Sequence, residues 1–259
     1  MNRVNLFVIL IFLFFVSMAD YSQAALYIDD TSTTDKGHFE VEYTIDYYKD
    51  IEKEYDPETE EYAKTVSKET DLSVYTSYGL TNNWDIAVTV PYQFLNDSST
   101  GEVNGFSDIV AETKYRLWNE SKFWPSFALY CDLKTDSAND DKSLGTGKKD
   151  YTLNSIFTKN IENNVFDLNL GYIFVGGKAD DIFFYSFDFG RDLTDKISIC
   201  SEIYGETTLE GNFDKNIFCW ALSLGYQINE MISFELGAGI GISKVSPDYQ
   251  FSSTITFNF

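Results

Sequence analysis

Apolar side chains recur at every second position in successive segments of the chain after residue 38. In the first segment the odd positions from Phe39 to Tyr47 are apolar, and the even positions from Glu40 to Asp46 are polar or acidic. A β-strand with two unlike faces has a period of two residues, whereas the faces of a helix repeat about every 3.6 residues. The pattern therefore excludes a helical fold and predicts strands.

Twelve segments carry this alternation, and the connections between them alternate in length. Outer-membrane barrels show the same asymmetry, with short periplasmic turns and longer external loops. The sequence therefore predicts an all-β fold: a twelve-stranded antiparallel transmembrane β-barrel with both termini in the periplasm. The predicted strands are 39–47, 66–80, 84–94, 109–117, 127–133, 151–157, 166–174, 183–189, 197–203, 218–226, 232–242 and 249–259. The predicted turns are 81–83, 119–123, 160–163, 192–195 and 229–230, and the predicted loops are 50–64, 96–104, 136–149, 176–181, 206–214 and 244–248.

A soluble β-sandwich or lipocalin-like barrel is the alternative, because its strands would also alternate. Its apolar face would point inward and its charged face outward. The polar face of this chain mixes glycines such as Gly171 and Gly237 with acids such as Glu112 and Glu235. Small and charged residues on one face suit a crowded, wet lumen better than an open surface.

The first residues have the features of a cleavable signal peptide. Arg3 precedes an apolar run at 4–16, and the segment closes on small residues at Ser22 and Ala24. We predict a signal peptide at 1–24, a short N-terminal periplasmic segment at 25–35 and the barrel at 36–259. A retained helical anchor is the alternative, although the apolar run is short for a membrane span.

Charge and cysteine content exclude several functions. A net charge of -22 argues against binding to nucleic acid, which requires lysine and arginine to neutralise phosphates. The three cysteines Cys131, Cys200 and Cys219 are too few and oddly numbered for a disulfide framework, so we expect free thiols that are buried or face lipid. With no Cys-x-x-Cys and a single histidine, the chain predicts no metal site and no cofactor.

The chain ends on a strand whose last residue is aromatic, Phe259. This ending resembles the terminal signal that the barrel-assembly machinery recognises in its clients. We therefore expect two partners besides small-molecule solutes: outer-membrane lipid, and the barrel-assembly machinery through Phe259. We expect a monomer.

If the apolar faces meet lipid, the inward faces carry many more acids than bases. Such a lining would attract cations into a water-filled pore and disfavour anions. The alternative is that these carboxylates only pair across strands or stay hydrated. The predicted lumen acids outside the densest group are Glu42, Asp85, Asp167, Glu202 and Glu235.

The densest group of charges lies on the fourth and fifth predicted strands. Residues two apart on a strand share a face, and neighbouring strands bring such side chains within reach of an ion pair. We expect a salt-bridge ladder that braces the barrel, with a substrate or ion site as the alternative. This lumen-lining charged cluster comprises Glu112, Lys114, Arg116, Asp132 and Lys134.

Catalysis has little support in the sequence. Outer-membrane hydrolases use a histidine with serine or paired acids. His38 stands alone at the predicted periplasmic end of the first strand, so we interpret it as an interfacial or solvated residue. We predict that the protein is not an enzyme and has no catalytic residue.

Several short motifs occur in a characteristic order over 37–259. They are Gly79-Leu80-Thr81, Val90-Pro91-Tyr92, Gly105-Phe106-Ser107-Asp108, Lys114-Tyr115-Arg116-Leu117, Leu144-Gly145-Thr146-Gly147 and Gly171-Tyr172. In these motifs the chain resembles the outer-membrane transporter family labelled "MetA-pathway of phenol degradation". That family usually shows Leu-Pro-Thr-Gly where this chain has Leu133-Lys134-Thr135-Asp136. The resemblance implies a barrel and the uptake of small aromatic or other hydrophobic compounds, and it implies no catalytic residue.

We therefore predict an outer-membrane channel or transporter for the passive passage of small solutes. A plugged structural or adhesive barrel without transport is the main alternative, because twelve strands enclose a narrow lumen. An outer-membrane hydrolase is the third possibility.

Overall fold

A computed structural model describes residues 29–56, 61–98, 101–208 and 216–259. The predicted signal peptide lies outside the described residues. Within them, no helix is long and apolar enough to cross a membrane.

The described chain is almost entirely β-strand. Each strand pairs antiparallel with a neighbour, and β1 pairs with both β2 and β13, so that the sheet closes into a barrel. The strands are β1 (Phe39–Asp56), β2 (Glu61–Thr81), β3 (Trp84–Asp97), β4 (Gly101–Phe106), β5 (Val110–Trp118), β6 (Ser126–Lys134), β7 (Asp150–Ile161), β8 (Asn164–Phe174), β9 (Ile182–Thr194), β10 (Ile197–Thr208), β11 (Ile217–Asn229), β12 (Ile232–Gly241) and β13 (Tyr249–Asn258).

Two of these strands, β4 and β5, share one position in the barrel wall. β4 pairs with the half of β3 from Tyr92 onward, and β5 pairs with the half of β3 that begins at Trp84. The break between them faces Pro91, which has no N–H to donate to a ladder. The wall therefore has twelve positions, which confirms the predicted twelve-stranded barrel.

The first hairpin is longer than the sequence predicts. Pairing between β1 and β2 continues from Lys49 opposite Lys68 to Asp56 opposite Glu61, so the predicted loop at 50–64 is wrong and consists mainly of strand. The predicted loop at 96–104 is likewise shortened by β4. Beyond the membrane both faces of a strand meet water, so the apolar alternation disappears while the backbone hydrogen bonds continue.

Side chains are distributed inside out relative to a soluble protein. On the outer face, Tyr43 and Ile45 are about half exposed, and other large apolar residues share that face. The fully buried interior is rich in polar groups such as Ser77, Asp167 and Glu202. An apolar outer belt around a polar interior matches hydrocarbon outside and water inside. The protein is therefore an outer-membrane barrel, as predicted.

Candidate functional site

A cavity of about 1280 Å³ runs along the inside of the barrel. At the end of the barrel where β1 begins and β13 ends, the cavity is lined by Glu230 and Asn258. Toward the opposite end it is lined by Phe184 and Glu206. Because one cavity contacts residues at both levels, it extends along much of the barrel.

The N-terminal segment at residues 29–38 enters this cavity, and we call it the strap. Its last residues follow β2 as a short parallel bridge, with Gly37 N donating to Gly79 O at 2.8 Å and Gly79 N donating to His38 O at 3.1 Å. Any Cβ at position 79 would stand 2.1 Å from the carbonyl oxygen of Asp35, so only glycine admits this contact.

From its attachment on β2, the strap continues inward and contacts the inner faces of β3, β7 and β8. Thr34 N donates to Asp85 Oδ2 at 3.0 Å, and Thr31 N donates to Thr158 Oγ1 at 3.0 Å. Asn169 donates its side-chain amide to the carbonyl oxygen of Asp29 at 2.8 Å. Residues 29–35, predicted as part of a periplasmic segment, therefore lie within the mouth of the barrel.

Lys114 of the predicted charged cluster binds the strap. Its Nζ lies 2.8 Å from Asp29 Oδ1, and its side chain is 12% exposed. Arg116 donates to the carbonyl oxygen of Asn82 at 2.6 Å, and Lys134 pairs with Asp108 and Asp150 at 3.1 and 2.9 Å.

The predicted salt-bridge ladder within this cluster is wrong, because no ion pair joins two of its five residues. Glu112 instead accepts hydrogen bonds from the hydroxyls of Thr89 and Tyr130. The acids on these strands have hydroxyl partners close by, whereas the long lysine side chains reach acids that the strand pattern does not reveal. The strap supplies one such acid, and the region around the β4–β5 break supplies another.

The predicted lumen acids divide between two environments. Glu42, Asp85, Asp167 and Glu235 line the cavity, as do Glu112 and Asp132. Glu202 does not; it is 1% exposed and packed among side chains on the inner wall. Lys134 also lies outside the cavity lining.

The formal charge of the cavity lining is strongly negative. Among the residues that the structure describes, twelve aspartates and glutamates line it, against the two cations Lys114 and Arg116. Uncompensated charge of one sign inside a low-dielectric wall concentrates counter-ions.

We call the acid-lined inner faces of β1, β2, β3, β5 and β6 the hydrated wall. On the other side of the lumen, some inward side chains of β9, β10, β11 and β13 pack against one another, and we call them the packed wall. Cys200 Sγ donates to Asp188 Oδ2 at 3.1 Å, and Gln250 donates to Cys219 Sγ at 3.3 Å while accepting from the hydroxyl of Tyr204. All three thiols are free, as predicted: Cys200 and Cys219 are buried, and Cys131 is exposed.

The strap was missed by sequence reasoning. The run from Asp29 to Asp35 is polar and lacks alternation, which is the usual signature of a solvated terminus. The one available signal was Gly79, a glycine within a strand, which often marks the close approach of another backbone.

The family motifs of the central strands come together around the break between β4 and β5. Ser107 N donates to Pro91 O at 3.0 Å, and Ser107 Oγ donates to Leu144 O at 2.7 Å. Asp108 Oδ1 accepts from Ala138 N at 2.9 Å. These residues therefore hold the loop after β6 against the break.

Solved structures of outer-membrane barrels resemble this one. The COG4313 outer membrane channel from Pseudomonas putida F1 has a TM-score of 0.68 at 14% identity, covering 91% of this chain and all (100%) of that chain. The translocator domain of the autotransporter NalP from Neisseria meningitidis has a TM-score of 0.56 at 10% identity, covering 86% and 88%. The NanC porin has a TM-score of 0.53 at 11% identity, covering 85% and 98%. At these identities the likeness establishes the fold.

Sequence comparison assigns the family. A comparison with curated proteins gave no match. Residues 27–259 match the family described as "Putative MetA-pathway of phenol degradation". The match spans the strap and every strand of the barrel, and the resemblance in the short motifs agrees with it. The chain therefore belongs to the MetA-pathway of phenol degradation family.

Proposed function

We propose that the protein is a passive channel for small solutes across the outer membrane. The continuous cavity of about 1280 Å³, lined mainly by polar and charged side chains, is the observation that carries this proposal. A barrel with a solely structural role would be expected to fill its interior with packed side chains, as the packed wall does on one side only.

Within this function, we propose that the channel passes neutral and cationic compounds, including small aromatic ones, in preference to anions. The excess of acids over cations in the cavity supports the charge preference. Tyr75, Tyr130 and Phe184 add aromatic surface to the same lining. The family description, which refers to phenol degradation, supports aromatic solutes.

The refolded protein in planar bilayers and in liposomes tests both parts. We expect ion conductance with cation selectivity, and faster liposome swelling with benzyl alcohol or benzylammonium than with benzoate. These three solutes share a ring and differ in charge, so each serves as a control for the others. Absence of conductance both in the wild-type protein and in variants whose strap is released would remove the channel proposal, and faster entry of benzoate would remove the charge preference.

A plugged barrel without transport is the second candidate, and the strap in the mouth is the observation that favours it. In that case conductance would be absent in the wild-type protein and in variants whose strap is released. Conductance in either would reject a permanent plug.

We propose no enzymatic role. The resembling structures are channels and translocators, and His38 is exposed at the mouth of the cavity. Ser77 is fully buried and bonds to the hydroxyl of Thr34. Lipase and protease assays of the refolded protein test this, and activity lost on His38→Ala would contradict it.

We also propose that the protein is monomeric and that Phe259 addresses it to the barrel-assembly machinery. Phe259 exchanges backbone hydrogen bonds with Phe39 at 2.8 and 3.1 Å, which places it at the seam where the barrel closes. We expect Phe259→Ala to lower the yield of folded protein in cells without lowering refolding from urea, where no machinery is present. Equal losses in both assays would contradict an assembly role.

A further inference from the structure

The two ends of the strap are held by different kinds of contact. Its root, residues 36–38, is held by backbone hydrogen bonds to Gly79. A side chain at position 79 would collide with the strap backbone. Its inner part, residues 29–31, is held mainly by side chains of the barrel wall. The root is therefore a fixed attachment, and the inner part can leave without breaking strand pairing.

One cation holds the inner part against an acidic wall. Lys114 binds Asp29 at 2.8 Å, while Glu42, Asp85 and Glu112 line the same cavity. Asp29 and Asp30 add negative charge to this surface. Without Lys114, repulsion would favour release of the strap.

The wall groups that hold the strap are themselves joined to neighbouring side chains. Thr31 N donates to Thr158, whose hydroxyl in turn donates to Asp167 Oδ1. Asn169 donates to the Asp29 carbonyl, and its own oxygen accepts from Asn154, which also lines the cavity. These bonds favour the closed position, and release must break those that the strap itself makes.

We propose that the strap is a releasable gate of the lumen, with the ion pair between Lys114 and Asp29 as its latch. Residues 29–31 leave the wall of β5 to β8, the root stays on Gly79, and the mouth widens. Release separates like charges, while closure is favoured by the latch and by the bonds to Thr158 and Asn169. The inference rests on the proposed channel function and specifies how that channel is regulated.

A pair of variants with opposite effects on charge tests the latch. Lys114→Met removes a cation from the lumen and Asp29→Ala removes an anion, yet both break the same ion pair. We expect each to raise the open fraction in planar bilayers about tenfold, the factor that a hydrogen bond to a charged group commonly supplies. Lys134→Met is the matched control, because it removes the same charge as Lys114→Met but pairs with Asp108 and Asp150. Opposite changes in the two latch variants, following lumen charge, would overturn the latch.

A reversible lock tests the gate itself. The hydroxyl oxygens of Thr31 and Ser126 lie 2.5 Å apart, so Thr31→Cys with Ser126→Cys should form a disulfide. We expect the oxidised protein to stay at low conductance and dithiothreitol to restore the wild-type level, with each single variant as control. Equal conductance before and after reduction would overturn the gate.

A nitroxide attached at Ser32→Cys, in a Cys131→Ser background, reports strap release without any current. Greater label mobility in both latch variants, and unchanged mobility in Lys134→Met, supports the inference. If the label is released in variants that never conduct, the channel function fails and strap release stands. If the wild-type protein conducts but neither latch variant mobilises the label, the strap inference fails alone.

Discussion

The two sides of the lumen place their inward-facing acids in different surroundings. On the hydrated wall, inward acids such as Glu42 and Glu112 line a wet cavity and stay partly accessible. On the packed wall, Glu202 and Asp188 are 1% and 0% exposed and lie among other side chains. The comparison teaches that inward-facing charge does not by itself define a pore, because the neighbouring side chains decide whether an acid meets water.

The largest expected effect concerns thiol accessibility. N-ethylmaleimide should label a thiol introduced on the strap by Ser32→Cys, an exposed position, roughly a hundredfold faster than Cys200 or Cys219, because reaction at a buried thiol requires local opening, and an opening that costs about 3 kcal/mol slows it by that factor. Pulse labelling followed by mass spectrometry measures the rates, with Cys131→Ser to assign the product. Comparable labelling of Cys200 would show that the packed wall is open to solvent.

Two inward-facing glutamines give the second test. Gln250→Leu should lower the free energy of unfolding by about 2 kcal/mol, because Tyr204 and Cys219 lose their partner inside a dry wall. Gln93→Leu, which removes a bond to Glu69 on the hydrated side, should cost less than about 1 kcal/mol because water replaces the partner. Urea unfolding in lipid vesicles measures both, and equal losses would remove the distinction between the walls.

Ion selectivity separates two glutamates of identical charge. Glu42→Gln should lower the ratio of cation to anion permeability by about twofold, because this residue faces the conducting water. Glu202→Gln should leave the ratio unchanged, since it does not line the cavity. Reversal potentials in a salt gradient provide the measurement. A larger change in Glu202→Gln would place the ion path along the packed wall.

The smallest effect concerns one end of the barrel, outside both walls, where Glu120 joins the turn after β5 to β7. Burial of its carboxyl group opposes ionisation, but hydrogen bonds from Lys159 and Asn160 outweigh this and lower the pKa of Glu120. The resulting stabilisation is present above its ordinary pKa and is lost as pH falls through the lowered value. Glu120→Gln should therefore cost at most about 0.5 kcal/mol at neutral pH and nothing in strong acid.

Melting temperatures across a pH series measure this loss. The control is Asp136→Asn, because the pair of Asp136 with Lys149 is 3.8 Å long and half exposed and should contribute nothing measurable. A loss in Glu120→Gln that persists in acid would contradict the assignment to its ionised form.

The strand number and faces could be read from the sequence because alternation reports a direct physical contrast. Tyr43 and Ile45 meet hydrocarbon while Glu42 and Asp46 face inward, so each spanning strand carries its own orientation. The contrast ends where both faces meet water, which is why the extension of β1 and β2 was not visible. The partner of Lys114 was equally hidden, because Asp29 lies on the strap, 85 positions away and outside any strand, whereas one partner of Lys134, Asp150, stands directly opposite it on β7.

The sequence by itself determined the barrel, the sign of the formal charge on its lumen lining, and the family. Each of these follows from residue types at fixed local spacing. The tertiary structure decided which acids meet water, which cation binds the strap and how the mouth is narrowed. Those features depend on contacts between residues up to 140 positions apart, as between Asp29 and Asn169, and no local pattern encodes them.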